Sequence, residues 1–186
     1  YKEKSIQLQK AAFKCNAQLL KPKTGITYTK VSYIHENRLK RIHTFFKKYE
    51  NYSELVLAVD EILDNLSFGM EAEKFEAALK IVGELLGYIS QRPDKEIRKG
   101  PDNLWCGANN LYSFFECKSE VEDTRAEISK HEAGQMNNHC AWFEEQYGLE
   151  ASVNRFLIIP TKNLSYCADF THDVRVIRRG KLKLLK

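Results

Sequence analysis

The sequence predicts an α/β fold in which helices flank a mixed central sheet, with a helical extension at the N-terminal end. Three observations carry this expectation. Apolar residues within 71–86 recur at helical spacing. Leu111, Tyr112, Ser113, Phe114 and Phe115 form a nearly unbroken apolar run, as a strand covered on both faces requires. A second helix-and-strand pair follows, with a long helix expected over 127–147 and an apolar strand over 154–160.

The chain of 186 residues suits one ordinary domain, or one compact domain with an appended helical piece. Apolar residues at 43% suffice for a core, and charged residues at 29% keep the surface solvated, which excludes a disordered or collagen-like chain. The longest apolar runs, such as 55–59 and 156–159, fall far short of the roughly 20 residues of a membrane span. No membrane partner is expected. The first residues, Tyr1, Lys2 and Glu3, lack both Met and an apolar signal, so the chain reads as a piece of a longer protein.

Residues 1–20 set Ile6, Leu8, Ala12, Phe13, Leu19 and Leu20 among Lys and Gln and read as a helix, broken by Pro22 and Gly25. Residues 26–34, rich in β-branched and aromatic side chains, predict a strand or a lead into the next helix. That helix is expected over 35–49, with Leu39, Ile42, Phe45 and Phe46 on one side. Ser53 has the chemistry of an N-cap for a further helix running to about Leu66. A boundary near Ser67, Phe68 and Gly69 divides a mainly helical region, 1–68, from the domain proper, 69–186.

In the helix over 71–86, Phe75, Ala78, Leu79, Val82, Leu85 and Leu86 make the apolar stripe, and Gly87 closes it. Residues 91–100, with Pro93 and many charges, predict a loop. A hairpin follows, with arms over 103–106 and 111–118 and a turn from Gly107 to Asn110. Gly148 stops the long helix. Residues 173–185 alternate Val174, Val176 and Ile177 with Arg and Lys and then reach Gly180, which predicts a terminal strand or hairpin.

The charge is uneven. Residues 1–50 hold 12 Lys/Arg against 3 Asp/Glu, residues 51–170 hold 11 against 21, and residues 171–186 hold 6 against 1. Basic ends of this kind suit a phosphate backbone, or simply a solvated surface. The five cysteines, Cys15, Cys106, Cys117, Cys140 and Cys167, are odd in number and show no CxxC spacing. Free, mostly buried thiols in a reducing cytoplasm are expected, with neither a disulfide framework nor a zinc site.

The chemistry centres on Gly100, Pro101 and Asp102, followed by Glu116, Cys117 and Lys118. Glu116 and Lys118 are two apart on a strand, so both point to the same face. The hairpin folds Asp102 back beside them. Two carboxylates and an ammonium thus converge on one sheet edge. Hard oxygen ligands suit Mg²⁺ or Mn²⁺. Such a cation polarises a phosphoryl oxygen and acidifies a water, while Lys118 orients that water or stabilises developing phosphorane charge. Glu76 lies nearest the apolar stripe of its helix and is the carboxylate best placed to reach inward as a third ligand. Glu73 and Glu84 fall toward solvent. On the long helix, Gln135 and His139 flank the buried stripe of Met136, Cys140, Phe143 and Tyr147 on one side, together with His131. Gln135 is suited to hold a water or a phosphate.

Phe75, Glu76, Ala78 and Leu79, then Gly100, Pro101 and Asp102, then Glu116, Cys117 and Lys118, then Gly134 and Gln135, resemble the restriction-endonuclease-like PD-(D/E)xK superfamily. The likeness is greatest to Mrr-type and RecB-like nuclease domains appended to bacterial helicases. It covers roughly residues 71–185 and leaves 1–66 unexplained. It implies a restriction-endonuclease-like mixed sheet flanked by helices and Mg²⁺-dependent hydrolysis of DNA phosphodiesters. It implies that Asp102 and Glu116 bind metal with Glu76 as the acidic residue of the first helix, that Lys118 serves the attacking water, and that Gln135 is the glutamine of the following helix. RecB-like sites often carry an aromatic four residues after that glutamine, whereas His139 stands here. The resemblance also implies a helicase or other domain in the same longer chain, with a DNA-processing or phage-defence role, and leaves a homodimer open.

Two other readings compete. One is a catalytically silent module that binds nucleic acid or a protein, against which the full Asp, Glu and Lys set argues. The other is a metal phosphohydrolase acting on small nucleotides, for which neither a Walker-type loop nor a Rossmann fingerprint is present. Trp105, Trp142 and the tyrosines are suited to stack on bases but are more commonly core.

Overall fold

The computed structural model describes residues 2–20, 28–32 and 38–186. Its centre is a five-stranded sheet in the order β1 (Ile89–Gln91), β2 (Asn103–Cys106), β3 (Tyr112–Cys117), β4 (Val153–Ile158) and β5 (Arg175–Ile177). The first three strands run antiparallel to their neighbours, while β3, β4 and β5 run parallel. The parallel crossover from β3 to β4 is made by α6 (Lys130–Tyr147). The fold is therefore α/β, with a mixed sheet flanked by helices.

Strand alternation gives each sheet face its own core. Trp105, Phe115, Cys117 and Ile158 pack on one side with Phe75, Ala78, Leu79 and Val82 of α4 (Ala72–Leu85). Leu104, Cys106, Tyr112 and Phe114 pack on the other with Met136, Cys140, Trp142 and Phe143 of α6. Phe75, Leu79, Phe114 and Met136 are fully buried, each worth about 1.5–3 kcal/mol in removed apolar surface. The first core continues into α2 (Arg38–Phe46) and α3 (Tyr52–Asn65) through Phe45, Ile62 and Leu66. Two α2 arginines complete the end of α4: Arg38 Nε donates to the Leu86 carbonyl at 2.6 Å and Arg41 Nε to that of Gly87 at 2.9 Å. Gly87, at φ +80°, is the left-handed residue of a Schellman turn, in which the Gly87 and Tyr88 amides reach the Glu84 and Gly83 carbonyls.

Several elements differ from the sequence expectation. The first helix, α1, spans Lys2–Cys15, shorter than 1–20. Asn51, and not Ser53, caps α3, accepting the Glu54 amide at 2.9 Å. Residues 28–32 are not a strand; Tyr28 instead hydrogen-bonds Gln91 and Tyr147. Pro22, Gly25, both ends of 26–34 and the start of the helix expected from 35 lie outside the described residues. The stretch 91–100 is not all loop: β1 forms an antiparallel edge beside β2, and Pro93 opens the short helix α5 (Pro93–Ile97). The long helix begins at Lys130, because Ser129 and Glu132 form a reciprocal capping box. Of the terminal strand or hairpin, the strand forms as β5 but is not followed by a second arm: it leads into α7 (Arg179–Leu185), which holds Gly180 in its first turn and buries Leu182 against the first core. Three cysteines are buried, but Cys15 and Cys167 are exposed. Among the described residues no helix is long and apolar enough to cross a membrane.

Candidate active site

The hairpin register pairs Asn103 with Phe115, which sets Asp102 across from Glu116. Gly100, at φ +89°, makes the turn into this position, and a Cβ there would come within 2.9 Å of the Trp142 ring. Asp102 Oδ2 accepts a hydrogen bond from the Cys117 amide at 2.6 Å, so its carboxyl continues the ladder where β2 has not yet begun. Burial pushes the Asp102 carboxyl up, to about 8, and the neighbouring Glu116 and Glu76 charges add to the effect against the Cys117 amide and Lys118.

Glu116 follows Tyr112 and Phe114 on the α6 face of β3 and is only 2% exposed. Its Oε1 lies 2.8 Å from Lys118 Nζ and its Oε2 lies 2.8 Å from His139 Nε2. Among the described residues no N–H meets Oε2 at a hydrogen-bonding angle, although the imidazole lies close. Burial opposes the charge on Glu116, but His139 and Lys118 outweigh it and hold the carboxyl below its ordinary value. Burial likewise opposes the charge on Lys118, and Glu116 and Asp102 more than restore it. The Lys118 amide donates to the Ile158 carbonyl at 2.8 Å, which carries the parallel pairing one residue past β3 and fixes the lysine backbone.

These groups share a cleft of about 310 Å³ with Glu76, Ser119, Gln135 and His139. Gln135 and His139 reach it from consecutive turns of α6; His131 is exposed and does not line it. Glu76 enters from α4, where Arg92 Nη2 holds its Oε2 at 2.5 Å. Burial, helped by the Glu73 and Glu116 charges, raises the Glu76 carboxyl against the pull of Arg92. Arg92 also grips Glu73 with both terminal nitrogens, at 3.0 and 3.2 Å. Glu84 pairs with Lys80 on the helix surface, away from the cleft.

All five residues singled out from sequence, Asp102, Glu116, Lys118, Glu76 and Gln135, therefore line one cleft. Sequence reasoning does not single out Arg92, in a stretch expected to be loop, or Ser119, whose buried Oγ has no hydrogen-bond partner among the described residues. His139 lines the cleft as well, and its spacing one turn after Gln135 is the signal that places it there.

Asp102 and Glu116 suit a hard divalent cation: both are carboxylates on one cleft wall, and Glu116 Oε2 is a buried acceptor without a directed donor. Glu76 fits less well, since Arg92 already engages it. Among the described residues no three His, Cys, Asp or Glu side chains are drawn together into a formed metal-ligating group. No protein-family model, no curated protein and no solved structure matches this chain.

Proposed function

We propose that this cleft hydrolyses DNA phosphodiester bonds with the aid of Mg²⁺ or Mn²⁺, as a nuclease of the PD-(D/E)xK kind. The observation that carries the reading is the placement of Glu116, buried to 2% exposure, beside Lys118 and across the hairpin from Asp102 in an open cleft. A charged set of this kind at the end of an apolar strand is costly to assemble without a task. Asp102 and Glu116 would hold the cation, which when bound polarises a phosphoryl oxygen and acidifies water. Lys118 presents an ammonium to the same space, where it stabilises negative charge developing on phosphate oxygens. The His139 imidazole lies beside Glu116 from α6, and Gln135 offers donors to a phosphate or a water. Membership of a longer DNA-processing or phage-defence protein, with a helicase domain or a second copy as partner, rests on the resemblance alone.

The reading as a catalytically silent module has one observation in its favour. Arg92 pairs with Glu76, and the Lys118 ammonium and the His139 imidazole already stand against the two oxygens of Glu116. Supercoiled plasmid incubated with the purified chain and Mg²⁺ or Mn²⁺ separates the two. Cutting that EDTA, Lys118→Ala and Asp102→Ala each abolish supports the nuclease. Intact plasmid, with single-stranded and branched DNA also uncut, supports the silent module.

A further inference from the structure

The cleft is acidic. Glu76, Asp94, Asp102, Glu116 and Glu120 line it against Lys118 as the single Lys or Arg among its lining residues. Such a surface repels a polyanion, so affinity for a nucleic-acid backbone must come from a basic surface nearby. The β5 edge of the sheet carries one. Strands β3, β4 and β5 are parallel, and their register aligns Cys117 with Ile158 and Ile158 with Ile177. The next residues in line are Lys118 and Arg178, two strand spacings apart, roughly 10 Å. Arg178 is extended and leads directly into α7.

In α7 the buried Leu182 anchors the helix, which leaves Arg178, Arg179, Lys181, Lys183 and Lys186 exposed. Arg179 pairs with Asp123, two residues beyond Val121 of the cleft wall, and so ties the helix to the rim. Lys186 Nζ donates to Ser67 Oγ. Among the described residues no carboxylate lies within ion-pair reach of Arg178, Lys181 or Lys183.

We infer that α7 and Arg178 form a ledge that binds the phosphate backbone of DNA and guides it to the cleft. The inference rests on reading the cleft as a DNA-hydrolysing site. The ledge recognises charge and not base sequence, since it presents ammonium and guanidinium groups alone.

The test is fluorescence anisotropy of a short labelled duplex with the whole chain in EDTA, where cutting is suppressed and binding is read alone. Wild type is compared with Lys181→Glu/Lys183→Glu, with Arg178→Glu, and with the milder Lys181→Gln/Lys183→Gln. These side chains are exposed, and circular dichroism checks that each variant keeps the fold. Charge reversal should weaken binding at least about tenfold, and the Gln pair should lower the slope of log K against log salt by about 2. Binding equal to wild type in all three variants overturns the ledge, as does wild type that ignores DNA at low salt but binds anionic vesicles. Because EDTA removes catalysis, loss of the nuclease reading leaves this result intact, and loss of the ledge leaves plasmid cutting to be judged by itself.

Discussion

Asp102 and Glu116 face each other across the hairpin, with Asp102 Oδ2 tied to the Cys117 amide at 2.6 Å. The same carboxyl thus closes the strand ladder and forms the cleft wall. Asp102→Ala leaves a buried amide without its acceptor and should cost about 1–3 kcal/mol. Asp102→Asn retains a carbonyl oxygen there and should cost less. Urea denaturation of the three proteins checks that order.

Gly100 ties this arrangement to the α6 side of the core. At φ +89°, and with the Trp142 ring 2.9 Å from where a Cβ would stand, Gly100→Ala is strained twice over. A loss of about 2 kcal/mol is expected. Near-ultraviolet circular dichroism should report the displaced Trp142, and thermal unfolding the lost stability.

Arg92 is buried between two glutamates. Glu73 is half exposed and can be solvated alone, whereas the Glu76 side chain is only 18% exposed. Arg92→Leu therefore strands the Glu76 charge and should destabilise by about 3 kcal/mol. Adding Glu76→Leu removes that charge and should recover much of the loss. A double-mutant cycle in urea measures the coupling.

Glu73 gives a pH signature. Hydrogen bonds from Arg92, then Lys95, hold its carboxyl at about 2, below the ordinary 4.5. A depressed folded value means that the stabilisation is complete above pH 4.5 and fades as pH falls through about 2. Exposure limits it to about 1 kcal/mol at most. Wild type should melt roughly 2–4 °C above Glu73→Gln at neutral pH, and the two should converge only as pH falls below about 2, the folded value.

The readable parts of the chain were those governed by local periodicity. The stripe from Phe75 to Val82 and the greasy run from Tyr112 to Phe115 each have one way to be buried, and their burial places Glu76 and Glu116. The alternation that puts Phe114 on the α6 face also puts Glu116 there, so the core of the cleft followed from strand geometry. Tertiary context decided the rest. Ile89 and Gln91 make a strand because β2 offers an edge, not because three residues carry a pattern. Leu182 turns a basic tail into a helix by finding the first core. Arg92 looked like a loop charge because its partners, Glu73 and Glu76, lie on a separate helix.

The most direct measurement is the initial rate of plasmid nicking with saturating Mn²⁺, wild type against Lys118→Ala, each checked for fold and for Mn²⁺ binding by calorimetry. On the nuclease reading, wild type nicks, EDTA stops it, and Lys118→Ala binds Mn²⁺ but nicks at least about 100-fold more slowly. Folded wild type that binds no Mn²⁺ and leaves the plasmid whole, or a Lys118→Ala protein that nicks at the wild-type rate, would contradict it.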